Sequence, residues 1–250
     1  MLLQELGELR LNMPVYRRRL EKAKSIVGQA FSQCERPYVA VSGGKDSIAM
    51  LGIVDDVVKE LGRDFEIWAH LSDASFPGTE ETIREACRII GREPIIDWSP
   101  VSAFDVIDQG SKQQFGKKGY FFDAIKNYVE TNNRDLVFIG VRAQESARRR
   151  RAVRIHGQIF QTSVPSPITA CYPIAWFEVE DVAAAIIEYG LPFHPIYYKK
   201  DLDGNALNIR LGYVTAKDLL HRGTAVFLKL NYPEIYNKLA QKWPEVRNYT

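Results

Sequence analysis

A short β-prone run, Tyr38 to Val41, ends in Ser42-Gly43-Gly44-Lys45-Asp46-Ser47 and gives way at once to a helical stripe of Ile48, Leu51, Val54, Val58 and Leu61, closed by Gly62. No other feature limits the fold so tightly. A strand that turns through glycines directly into a helix presents backbone N–H groups and the positive end of the helix dipole to whatever lies in front of it, which makes an anion site. Phosphate is the natural occupant. Gly43 and Gly44 can take positive φ and let a ligand touch the backbone, Ser42 and Ser47 can donate from their hydroxyls, and Lys45 adds a mobile point charge. Asp46 suits a magnesium ion or a bound water, because a carboxylate beside phosphate needs a cation. The Walker A pattern fails, since Val39 stands where its first glycine belongs and Asp46 where Ser or Thr should follow the lysine.

The unit of strand, loop and helix then repeats. Phe65 to Leu71 reads as a strand, Ser72 to Gly78 as a loop, and Ile83, Ala86, Cys87 and Ile90 as a helix face stopped by Gly91. Pro94 to Trp98 is a third strand; helical stretches follow around Ala103 to Ile107 and Phe121 to Val129, and Leu136 to Ile139 is a fourth strand, apolar throughout as in a parallel sheet buried on both faces. The alternation predicts an α/β fold with a doubly wound, mostly parallel sheet and ligands at the carboxyl ends of its strands. From Arg142 the pattern changes to an arginine run, an expected hairpin through Ile155 to Ile159, and a helix from Val179 to Tyr189. Ahead of the first strand, Leu20, Ala23, Ile26, Val27, Ala30 and Phe31 mark an amphipathic helix after Pro14. Gly204, Gly212 and Gly223 interrupt the tail, which is expected to be an irregular cap ending in a short helix from Tyr232-Pro233-Glu234. The expected organisation is an N-terminal helical segment over 1–36, a nucleotide-binding domain over 37–199 and a cap over 200–250 packed on it.

Composition sets limits on what the chain binds. With 46% hydrophobic and 26% charged residues the chain is an ordinary globular one, and a formal net charge of +2 means that any attraction to nucleic acid comes from local clustering. Arg142 to Arg154 supplies six arginines, with Arg148 to Arg151 consecutive. These fit a solvated helix face, a clamp on nucleotide phosphates, or a grip on a nucleic-acid backbone. No apolar run approaches the roughly 18 residues of a membrane helix, and Glu5, Glu8 and Arg10 interrupt the start, so a cytoplasmic address is expected. Cys34, Cys87 and Cys171 form no C-x-x-C pair, and His70, His156, His194 and His221 show no metal-ligand spacing. Cys171 fits a sulfur carrier or, as isolated cysteines more often are, a small buried hydrophobe. Lys117 and Lys118, between Gly116 and Gly119, fit a lid over phosphates or a solvated loop.

The S-G-G-K-D-S loop at 42 to 47 resembles that of the PP-loop, or adenine nucleotide α-hydrolase-like, superfamily. Within it the chain is similar to the phosphoadenosine phosphosulfate reductase-like branch. Asp73 and Phe76-Pro77-Gly78-Thr79 match that branch after the second strand, and Gly140, Arg142, Glu145, Ser146 and Arg149 match its segment after the fourth. Pro173, Ile174, Trp176, Asp181, Val182, Leu191-Pro192 and Pro195-Ile196-Tyr197 continue the match in order. The segments Arg210-Leu211-Gly212-Tyr213 and Tyr232-Pro233-Glu234 resemble those of phage-borne and DNA-phosphorothioation relatives.

The resemblance implies an ATP pyrophosphatase that cleaves ATP between its α- and β-phosphates to adenylate an acceptor, with Mg2+ on Asp46. It implies nucleotide contacts from Ser42, Gly43, Gly44, Lys45, Asp46, Ser47, Asp73, Gly140, Arg142 and Arg149, with Lys45, Asp46 and Arg142 catalytic. The implied partners are an adenine nucleotide, a nucleic-acid acceptor, a sulfur-donor protein such as a cysteine desulfurase, and a second copy of the chain. Two alternatives are a sulfonucleotide reductase or transferase and a non-catalytic nucleotide-sensing subunit. The reductases of this branch attack with a cysteine near the C-terminus, and here no cysteine follows Cys171.

Overall fold

Successive side chains of a strand point to opposite faces of its sheet, and here both faces are apolar. Val39, Ile67 and Phe138 belong to one buried cluster, while their neighbours Tyr38, Trp68 and Val137 belong to another. A sheet with two apolar faces needs cover on both. The computed structural model, which describes residues 2–109, 120–199, 211 and 222–250, supplies it. Strands β1 (Pro37–Ala40), β2 (Glu66–Leu71), β3 (Pro94–Trp98), β4 (Leu136–Ile139), β5 (Ile159–Thr162) and β6 (Ile168–Cys171) form one sheet in the order β3-β2-β1-β4-β6-β5. All neighbours are parallel except β5, which runs antiparallel to β6.

The first face is covered by α2 (Pro14–Phe31), α3 (Lys45–Leu61), α4 (Thr79–Ile90) and α7 (Val179–Glu188), the second by α5 (Tyr120–Thr131). Under α5, Tyr128 stacks on Trp68 at 5.3 Å and meets the Tyr38 ring edge-on at 5.1 Å. An additional helix, α1 (Leu3–Leu11), lies against α7. Its Arg10, with Arg19 of α2, holds the start of α7: Arg10 reaches Asp181 at 2.7 Å and Glu178 at 2.8 Å, and Arg19 reaches the same pair at 2.5 and 3.0 Å. Asp181 is fully buried.

Two local expectations are corrected. Residues 155–159 do not form a hairpin: the arginine run continues as α6 (Ala147–His156), which ends at Gly157 with φ +77°, and the antiparallel turn lies later, between β5 and β6. Nor is the tail irregular where it is described. Gly223 sits in the first turn of α8 (Arg222–Asn231), and α9 follows (Pro233–Lys242), opened by proline at its first position as that residue's fixed φ favours. These helices pack on Phe76, Phe104 and Tyr197, and Lys242 pairs with Asp105 at 2.5 Å. Lys117, Lys118, Gly204, Arg210, Gly212, Tyr213 and His221 lie outside the described residues. No described helix is long and apolar enough to cross a membrane.

Candidate active site

The chain lays β1, β2 and β3 in one direction and then crosses back to put β4 on the other side of β1. Loops leaving β1 and β4 therefore diverge, and a crevice opens at the carboxyl ends of the strands. A cavity of about 390 Å3 occupies it, lined on one side by Ser42, Gly44, Lys45, Asp46 and Ser47.

The loop is held by its own hydroxyls. Ser47 Oγ donates to Gly44 O at 2.9 Å and accepts from Ser42 N at 3.2 Å, so its only proton is used and the hydroxyl proton of Ser42 is the one that can turn to a ligand. Gly43 has φ +74°, and a Cβ there would come within 3.0 Å of the Thr79 side chain. Gly44 needs no such freedom: it caps α3 in the extended region, with φ −76°. Across the crevice, Gly140 touches the first turn of α3 so closely that a Cβ would lie 2.8 Å from the Asp46 carbonyl and the Ser47 nitrogen. Only glycine fits this contact of β4 with the loop.

The Asp46 carboxylate lies between two cations, Lys45 Nζ at 3.3 Å and the guanidinium of Arg142. Lys45 and Arg142 are both buried. Glu145 accepts from the Arg142 amide and pairs with Arg149, the one α6 arginine that lines the cavity. Three cations thus face two carboxylates, leaving a positive excess suited to phosphate. Asp73 is placed elsewhere: its carboxylate accepts from Ser102 Oγ at 2.5 Å and Ala103 N at 2.8 Å, capping a short 3-10 turn outside the cavity lining.

The opposite wall contains residues to which sequence reasoning gave no binding role. Ala40 is in register with Trp68 on β2 and with Ile139 on β4, so three side chains form one row across the sheet with the smallest in the middle. His70 follows Trp68 on the same face and stacks on it at 5.9 Å; Phe121 of α5 meets the His70 ring at 5.6 Å. Asp97, the register partner of His70, lies 3.0 Å from its Nδ1 and fixes the ring. The result is a flat apolar slot beside a cationic loop. Tyr197, matched in sequence but assigned no role there, also lines the cavity: its hydroxyl accepts from Lys45 N at 3.0 Å while its ring lies 5.2 Å from Lys45 Nζ. Burial pushes this phenol well above its usual pKa, so it keeps its proton and can donate it. His194 accepts from Ile196 N at Nδ1 and therefore donates from Nε2 to Thr79, 3.0 Å away.

The cysteines stand apart. Cys171 is fully buried in the core, and burial raises all three thiols, Cys87 to about 12, so none is a ready thiolate.

Residues 36–235 match the phosphoadenosine phosphosulfate reductase domain. The chain belongs to this family. Solved structures with the same fold include the FMN adenylyltransferase of Candida glabrata in complex with ATP, at 14% identity and a TM-score of 0.59, over 85% of this chain and 68% of that one. The U34-tRNA thiolase of Methanococcus maripaludis with its 4Fe–4S cluster aligns at 13% identity and 0.56, over 93% and 79%. The phosphoadenylyl-sulfate reductase of Candida auris, a phosphate complex, aligns at 14% and 0.50, over 77% and 87%. Comparison with curated proteins returns no sequence match. The family is one of nucleotide-handling enzymes, and the loop at the switch point is its PP-loop.

The donor set fits a nucleotide: an apolar slot of planar shape, then hydroxyl, amide and cationic donors. It also fits magnesium, which needs only one or two carboxylates when phosphate oxygens and water complete its shell. Asp46 offers one. No group of three metal-ligating side chains converges among the described residues, so a metal here would depend on the ligand's own oxygens.

Proposed function

We propose that this protein cleaves ATP between the α- and β-phosphates and passes the adenylyl group to an acceptor. The observation that carries the reading is one cavity lined by Lys45 and Asp46, the latter paired with Arg142, together with the slot formed by Trp68, Ala40 and Ile139. The base lies in the slot, and the β- and γ-phosphates face Ser42 to Ser47. An acceptor oxygen bonds to the α-phosphorus as the bond to the bridging oxygen breaks, and the electron pair leaves on pyrophosphate. Lys45, the Ser42 hydroxyl, the Tyr197 phenol and the amides of the first turn of α3 take up that charge. Mg2+, held by Asp46, would neutralise phosphate charge. Arg142, which pairs with Asp46, would add positive charge beside the phosphates. The acceptor class we assign is a nucleic acid, activated for sulfur brought by a donor protein of the cysteine desulfurase kind.

Purified protein incubated with Mg-ATP, with and without duplex DNA or tRNA, should yield AMP or an adenylylated product and pyrophosphate. ADP and phosphate as the only products would overturn the reading, and so would binding with no pyrophosphate release, which would make the protein a nucleotide sensor. A sulfonucleotide reductase is the second reading, favoured by the family match. Its chemistry needs a nucleophilic cysteine, and the three thiols are buried. Formation of sulfite from phosphoadenosine phosphosulfate with thioredoxin would establish it.

A further inference from the structure

Arginines of α1, α2 and α4, Arg18 apart, meet carboxylates: Arg10, Arg17 and Arg19 pair with Glu178, Asp181 and Glu188 at α7, and Arg84 and Arg88 with glutamates one turn earlier, while Arg92, just past α4, pairs with Asp55 and Asp64. Helix α6 breaks the pattern. It carries five arginines and no acid, buries only Val153, and leaves Arg148, Arg150, Arg151 and Arg154 exposed with no ion pair among the described residues. At 100° per residue the order Arg150, Arg154, Arg151, Arg148 sweeps roughly 160° of the helix surface, on the side away from Val153. So concentrated a charge, in a chain of net +2, is repulsive within itself and suits a polyanion.

Its position matters as much as its sign. Arg149 of the same helix lines the cavity, so the exposed arginines begin at the cavity rim. An exposed indole lies on a turn tied to the segment that leads into this helix. Ala143 donates to Ala175 O at 2.7 Å, which pins the turn carrying Trp176 against the segment that leads into α6, and Trp176 is 44% exposed. Cations with an adjacent open aromatic face are the elements that hold a nucleic-acid strand, by its phosphates and by a stacked base.

We propose that α6 and Trp176 form a docking surface for a single-stranded stretch of nucleic acid, with the backbone along Arg148, Arg150, Arg151 and Arg154 and one unpaired base on Trp176. The inference rests on the reading of the cavity as an adenylylating site, for which it names the second-substrate surface. Fluorescence anisotropy with a labelled 20-nucleotide single-stranded DNA and the matching duplex, over a salt series, tests it. The single strand should bind more tightly. The quadruple Ala variant of the four arginines should lose affinity and flatten the salt slope by about 0.7 for each phosphate contact removed. Trp176→Ala should weaken single-strand binding and Trp176→Phe restore most of it, while pyrophosphate release from ATP without acceptor stays unchanged in every variant. Equal slopes for wild type and quadruple variant, no binding at low salt, or arginine-dependent binding to anionic vesicles in place of DNA would each overturn the proposal. None of these outcomes touches ATP cleavage, whose loss in wild-type protein would refute the cavity reading separately.

Discussion

Two groups of arginines in this protein have opposite surroundings. Arg10 and Arg19 converge on Glu178 and the fully buried Asp181, where each guanidinium is matched by carboxylate oxygens and three helices are tied together. The arginines of α6 outside the cavity have no such partners among the described residues. The same residue type is a structural rivet where its charge is satisfied internally and a binding element where it is not. The Lys45, Asp46 and Arg142 group stands between these cases: paired in the structure, yet lining or flanking a cavity where a ligand could take one partner over.

The comparison is broken most forcefully at the rivet. Asp181→Ala leaves Arg10 and Arg19 with Glu178 alone, a loss of at most the about 3–5 kcal/mol that breaking a fully buried pair costs, to be read as a lower urea midpoint with ATP affinity retained in whatever remains folded. An unchanged midpoint would mean that the clamp is ornamental. At the intermediate site, Lys45→Ala should cut ATP turnover by about 10²- to 10³-fold, as loss of one charge-stabilising donor does, with the circular dichroism spectrum preserved; full activity would remove Lys45 from the mechanism.

A buried histidine sharpens the rule from the neutral side. His194 is buried with no carboxylate at its ring, and burial lowers its pKa from 6.5 to about 4. The unfolded chain then binds more protons between those values, so this contribution to stability is complete above pH 6.5 and is lost as pH falls toward 4, by at most about 3 kcal/mol. His194→Gln, able to keep one of the two hydrogen bonds, should flatten the stability profile in that window; an identical profile would assign the acid sensitivity elsewhere. The smallest effect is expected on α6, where the quadruple Ala variant should change stability by no more than about 0.5 kcal/mol per residue. A large loss in its urea midpoint would show that these arginines hold the fold after all.

Much of the frame was legible in the sequence. Pro94–Trp98 and Leu136–Ile139 form strands at the positions their apolar runs imply, and the first two strands shift by a residue at their ends. Strands buried on both faces and glycines that stop helices leave local marks. β5 and β6 leave few: β5 follows an arginine-rich helix whose closing Gly157 reads equally well as the centre of a hairpin. Helix α8 was hidden in a similar way, because Gly223 sits at its start, where glycine costs little, and not in its interior.

For the site the division runs between what contiguous residues make and what distant ones make. The loop from Ser42 to Ser47 and its helix are determined by sequence, because a strand, two glycines and a helix start are consecutive and their backbone geometry is local. That Gly43 alone needs positive φ, that Asp73 caps a turn and stays out of the cavity, and that Tyr197 reaches the Lys45 amide were decided only by tertiary structure. So was the slot: Trp68, Ala40 and Ile139 are far apart in the chain and meet because the sheet order β2-β1-β4 sets them in one register row. Register and strand order are settled by the packing of whole faces against helices, a sum over many distant contacts that no stretch of sequence carries by itself.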